Sequence, residues 1–118
     1  MRFDRKIATK LSEILKLPDS PLEELHFKRC MLKFISLKKI TEPLKIDLNI
    51  RALSFVDVTI HEKEATLLSE MIEQNHAIEE LTIVHCGIND ASMIKLSKGL
   101  GKNKIIRYLD FRNNVFES

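Results

Sequence analysis

One number governs this chain: 28. Leu22, Ile50, Ile78 and Ile106 stand 28 residues apart, as do Leu25, Leu53, Leu81 and Leu109, and Phe27, Phe55, Ile83 and Phe111. The same step links Cys30, Val58, Cys86 and Asn114, and it links Leu32, Ile60, Ile88 and Phe116. Five columns over four rows hold an apolar residue or a cysteine in every cell but one, Asn114, with no insertion between rows. A fixed period of this length is the mark of stacked supersecondary units, none of which can bury its own apolar side without a neighbour.

Within each row the period changes. The central Leu-x-Phe alternation puts two side chains on one face of a short strand. The second half of each row moves to helical spacing. In row two Ala65, Leu68, Met71 and Ile72 form a stripe bounded by Asn75. In row three Ala91, Ile94, Leu96 and Leu100 follow Asp90, read as the N-cap, and close near Gly101 and Asn103. Row one keeps Leu37, Ile40 and Leu44, but Pro43 is expected to end its helix early, because proline has no N–H to donate. Strand, helix, strand within 28 residues is long enough for parallel pairing through a right-handed crossover. The fold class expected is α/β, a curved stack with a four-stranded parallel sheet on the concave side and helices on the convex side. Residues 1–21 are read as a helical cap or half-repeat, with Ile7, Leu11, Ile14 and Leu15 on one face and Asp19 standing 28 before Asp47. Repeats start at residues 22, 50, 78 and 106, the last incomplete, within a single domain over residues 1–118.

The rows LEELHFKRCML, IRALSFVDVTI, IEELTIVHCGI and IRYLDFRNNVF carry a pattern that resembles the leucine-rich-repeat family, in particular its ribonuclease-inhibitor-like subclass. The resemblance covers nearly the whole chain. It implies a right-handed horseshoe solenoid that binds proteins without catalysis, and it implies that Cys30, Cys86 and Asn114 hydrogen-bond backbone in the turn after each strand.

Composition narrows the classes further. At 118 residues, with 44% apolar and 31% charged residues, the chain has an ordinary globular balance. No apolar run reaches the roughly 18 residues of a membrane span. The 19 basic and 17 acidic side chains are interspersed, which leaves no footprint for nucleic acid. The first twenty residues lack a secretory apolar core; their basic, amphipathic character leaves a mitochondrial presequence open, against which Asp4 and Glu13 count. Two cysteines two rows apart lie roughly 9.6 Å from one another, beyond disulfide reach. Reduced thiols fit a cytoplasmic protein. His26, His61, His76 and His85 occupy four different columns and cannot converge on zinc. No phosphate loop, nucleophile elbow or paired catalytic carboxylate is present, so no enzyme activity and no cofactor are expected.

A partner, if there is one, is expected on the concave face, whose columns are Glu24, Ala52, Glu80 and Tyr108; His26, Ser54, Thr82 and Asp110; Lys28, Val56, Val84 and Arg112; and Arg29, Asp57, His85 and Asn113. Candidate contacts are Tyr108, Arg112, Asp110, Asn113, His85, Val84, Glu80, Thr82, Lys28 and His26. Tyr108 and Arg112, expected side by side on the last strand, are of the residue types that dominate interface hot spots. Sixteen positions fall short of the roughly 20 to 30 residues a side of a standard interface. Two alternatives stand beside a protein-binding module. The last strand would leave Leu109, Phe111 and Phe116 at an open edge, as expected either of a chain cut from a longer array or of two copies that join edge to edge as a homodimer. Some members of the family subclass regulate small GTPases, which would need a rim arginine or an acidic tail; the sequence has no such tail, and Arg112 is expected on the face.

Overall fold

The computed structural model describes residues 2–115. The chain runs β1 (Arg2–Phe3), α1 (Arg5–Leu15), β2 (Glu24–Lys28), β3 (Met31–Leu32), α2 (Phe34–Leu44), β4 (Ala52–Val56), α3 (Glu62–Gln74), β5 (Glu80–Val84), α4 (Asp90–Lys102) and β6 (Tyr108–Asp110). β2, β4, β5 and β6 form a four-stranded parallel sheet in sequence order. Its register is the 28-residue period itself: Leu25 pairs with Leu53, Leu53 with Leu81, and Leu81 with Leu109. Any slip by one residue would turn the buried Leu and Phe columns to the open face, so the period pins the pairing.

The Leu and Phe side chains of the strands merge with Leu37, Ile40, Leu44, Ala65, Leu68, Met71, Ile72 and Leu96 of the helices into one core. A spine of rings runs through it. Phe27 stacks on Phe55 at 5.2 Å between centroids, and Phe3 meets Phe27 edge-on at 5.3 Å. Phe3 comes from β1, which pairs with β3 in a separate two-stranded parallel ladder (Phe3 with Leu32) that the repeat pattern does not announce.

A second repeated element is polar. Asn75 is buried at the helix-to-strand corner, where its Oδ1 accepts from the N–H groups of Ala77 and Ile78 (2.8 and 2.7 Å) and its Nδ2 donates to the Leu44 carbonyl one row back (2.7 Å). Asn103 repeats this, accepting from Ile105 and Ile106 and donating to Ile72 O. Asp47, in the same column, accepts from the N–H groups of Asn49 and Ile50. Each side chain satisfies orphan backbone groups at its corner, and at Asn75 the corner is buried from water.

Several local expectations are corrected. α2 continues through Pro43 to Leu44. The ring removes one donor, but the Lys45 N–H donates to Thr41 O at 3.1 Å and the helix loses little so close to its end. The N-cap of α4 is Asn89, whose side chain accepts from Ser92 N at 2.9 Å, and Asp90 is the first helical residue. The buried stripe of α4 runs through Ser92, Leu96 and Gly99, so Ala91 and Ile94 are on its exposed side. In α1 the buried residues are Ala8, Ser12 and Leu15, with Leu11 half-buried and Ile7 and Ile14 exposed. Asp19 is exposed, and the Ser20 hydroxyl accepts from Leu22 N in its place.

Candidate interaction face

The burial of β2 and β5 alternates: Leu25, Phe27, Leu81 and Ile83 point into the core, while Glu24, His26, Lys28 and Glu80 are exposed on the opposite face. That open face is built from the ladder Glu24–Ala52–Glu80–Tyr108 and the ladder His26–Ser54–Thr82–Asp110, with Lys28, Val56 and Val84 beyond them. Its middle positions are mostly small: Ala52 is buried between the two glutamates, and Ser54, Thr82, Val56 and Val84 are half-buried, while Glu80 on the inner strand β5 is exposed and charged. Both ends carry charge, part of it paired. Glu24 Oε1 meets His26 Nε2 at 2.8 Å. Asp110 receives Arg112 Nε and Nη2 at 2.9 Å each, and also the Arg112 backbone N–H. Those bonds hold the Asp110 carboxyl below the usual range and raise the Arg112 guanidinium. Arg112 lies past β6, which ends at Asp110, and Tyr108 remains near enough to act on its charge. The chain turns there, and the arginine folds back onto the last strand residue.

The fourth column is not strand either. Arg29, Asp57, His85 and Asn113 all adopt the left-handed conformation, with φ of 52°, 57°, 54° and 61°. This bend follows each strand and swings the chain toward the next helix. His85 and Asn113 therefore sit on the rim of the sheet, where His85 Nδ1 lies 3.3 Å from Asp57 Oδ1. Behind the rim, Cys86 and Asn114 serve the backbone: Cys86 Sγ donates to Phe55 O at 3.3 Å, and Asn114 accepts from the N–H groups of Cys86 and Ile88. Both cysteines are free, Cys30 half-buried and Cys86 buried. Burial pushes both thiols up from their ordinary values.

Leu109 and Tyr108 are exposed and Phe111 half-buried at the far edge of the sheet, while Phe116 lies outside the described residues. A separate apolar groove, absent from the sequence reading, lies on the helix-to-strand loops between Leu17, Pro18, Pro43, Ile46 and Leu48. Its signal was available: Ile46 and Leu48 become Gln74 and His76 one row on, and Lys102 and Lys104 in the next. Among the described residues no three or more His, Cys, Asp or Glu side chains converge as a metal site. No helix there is long and apolar enough to cross a membrane.

Known proteins place this geometry. The chain is 27% identical over 111 residues to NACHT, LRR and PYD domains-containing protein 9 of Bos taurus, covering 93% of this chain. It is 28% identical over 111 residues to NACHT, LRR and PYD domains-containing protein 14 of Mus musculus, covering 91%. In both cases it spans 11% of the relative's length. Among solved structures, the tropomodulin C-terminal domain from Caenorhabditis elegans superposes with a TM-score of 0.77 at 16% identity, over 91% of this chain and 65% of that one. No family model matches the chain. The fold is thus shared with the tropomodulin domain, and the sequence is distantly similar to proteins that contain leucine-rich repeats.

Proposed function

We propose that this chain is a non-catalytic protein-interaction module, a leucine-rich-repeat solenoid of the ribonuclease-inhibitor-like kind, whose partner docks on the open face of the parallel sheet. The carrying observation is the register: strands paired 28 residues apart hold two ladders of outward side chains rigidly in line, mostly small at the middle positions and charged at Glu80 and at both ends. Rigid side chains bind with little ordering cost. The small middle positions Ala52, Ser54 and Val56 suit a partner that presents small or apolar groups there and polar groups to Glu80 and the ends. The distant likeness to proteins named for their leucine-rich repeats supports the same reading.

Tyr108 is the exposed aromatic of this face and its anchor, with Glu80, Thr82 and Val84 on the neighbouring strand and His26 and Lys28 at the opposite edge. Asp110 shapes the surface chiefly by fixing Arg112, and His85 and Asn113 would touch a partner only from the rim. A photo-crosslinking residue at Thr82 or Tyr108 should capture the partner, and one at Lys98 on α4 should not. Against the captured partner, Tyr108→Ala should weaken binding about tenfold, an ordinary hot-spot effect. Capture from Lys98 with none from Thr82 and Tyr108 would move the interface to the helices. Regulation of a small GTPase would call on a rim arginine; Arg112 is held by Asp110, and Arg29 is the arginine that stands on the rim.

A further inference from the structure

Ala52 belongs to the outward set of β4, because Leu53 beside it enters the core, yet it is only 8% exposed. Its longer ladder neighbours shield it. Ala52 pairs with Glu24 on one side and with Glu80 on the other, and both glutamates are exposed. Side chains stand roughly perpendicular to a sheet whose strands are about 4.8 Å apart. The two glutamates therefore wall a notch about 9.6 Å across at the backbone, with a methyl group as its floor. Tyr108 stands on the far side of Glu80 in the same ladder.

No cation of the chain balances these walls. The Glu80 carboxylate has no hydrogen bond or ion pair among the described residues. Glu24 has one oxygen engaged, Oε1, by His26 Nε2 at 2.8 Å. The nearest arginines and lysine are committed or distant. Arg51, one residue before Ala52, is held by Glu79 at 3.1 Å. Arg112 is held by Asp110 at 2.9 Å. Lys28 stands four residues along β2 from Glu24, about 13 Å away. Arg107, before Tyr108, is exposed and makes no ion pair with Glu80. The chain carries a net charge of +2, so two carboxylates without a lysine or arginine on this face run against the sign of the whole molecule.

We infer that the partner of the open face is a basic segment that seats one lysine or arginine side chain in this notch. Its methylene stem lies over Ala52, and its charged head lies between the carboxylates of Glu24 and Glu80. The inference rests on the open-face reading and adds the chemistry of the group that docks there. A long basic side chain is apolar along its stem and charged at its tip, which matches a methyl floor between carboxylate tips. A guanidinium donates in a planar fork and can serve both walls, and the Tyr108 ring beside Glu80 offers the same cation an aromatic neighbour. An apolar or acidic side chain in this place would desolvate the two carboxylates without pairing them, so the notch also selects against such partners.

The test is selection of a randomised displayed peptide library, with basic and acidic residues equally frequent, on the full chain and on Glu80→Gln and Glu80→Lys. Glu80 is exposed and its carboxylate unpaired, and unchanged thermal melting verifies that the variants fold. The wild type should enrich peptides that carry lysine or arginine. Those peptides should bind Glu80→Gln about five- to tenfold more weakly and should crosslink from a photoreactive residue at Thr82. Selection on Glu80→Lys should shift toward acidic peptides. Enriched peptides that crosslink at Thr82 but lack a basic residue, or that bind Glu80→Gln as tightly as the wild type, would overturn this inference and leave the open-face reading standing. Enriched peptides that do not crosslink at Thr82, or a library with no enriched sequence, would count against both.

Discussion

Two glycines of α4 stand two residues apart and should respond to the same substitution with opposite sign. At Gly101 a Cβ would meet open space. Gly101→Ala should therefore raise stability by about 0.5–1 kcal/mol, the ordinary gain of alanine over glycine in a helix. At Gly99 a Cβ would overlap the backbone carbonyl oxygen of Ser69 and lie 2.8 Å from its Oγ. Backbone in the middle of α3 cannot step aside alone, so α4 must move outward. That displacement strains the packing of Leu96, an overpacking cost of about 1–3 kcal/mol. It also stretches the Gly99 N–H bond to Ser69 Oγ, worth about 1 kcal/mol. The helix-propensity gain of about 1 kcal/mol offsets part of this, leaving a net loss of about 1–3 kcal/mol. For a chain of this length about 1 kcal/mol moves Tm by about 4 °C. Thermal melts by circular dichroism should thus show Gly99→Ala lower by about 4–12 °C and Gly101→Ala higher by about 2–4 °C. If Gly99→Ala raised Tm as Gly101→Ala does, the close approach of α3 and α4 at Ser69 would be refuted.

Asn75→Ala removes four hydrogen bonds at a buried corner, three of them at 2.7–2.8 Å, and should cost about 3 kcal/mol, read as a lower urea midpoint. Arg29→Gly relieves a left-handed backbone that costs about 1–2 kcal/mol against a chain-entropy penalty of about 0.5–1, so it should be neutral to mildly stabilising, whereas Arg29→Val should be plainly destabilising by the same melt. Cys86 should react with Ellman's reagent only as fast as the protein unfolds, and Cys30 slowly, because burial holds both thiols protonated near neutrality. Their raised values also fix a pH dependence. The folded thiols ionise later than the unfolded ones, so their contribution is fully present below the unfolded value near pH 9 and is lost as pH rises through the folded value. Equilibrium unfolding followed from pH 8 to about pH 11 should show Cys86→Ala with less of this alkaline loss than the wild type.

The stacking of strands was legible because it depends on one local quantity. Leu25, Leu53, Leu81 and Leu109 could share a column only if each row had the same length, and the parallel register follows from that equality. The asparagine column was legible too, since Asp47, Asn75 and Asn103 stand 28 apart, although apolar periodicity alone does not point to it. What stayed hidden depends on neighbours brought close from other rows. Helical spacing marks a stripe but not which edge of it meets the core, so Ile7, Ile14 and Ile94 read as buried until the packing left them exposed. A strand pattern says nothing of where the strand stops, and the left-handed residue after each one turned Arg29, Asp57, His85 and Asn113 from face to rim. Arg112 looked like a free anchor because its pairing with Asp110 requires the turn that ends β6. The sequence by itself determined the repeat length and hence the register, because both are properties of spacing along one chain. Tertiary structure alone decided exposure and ion pairing, because each depends on which atoms lie across the space between rows.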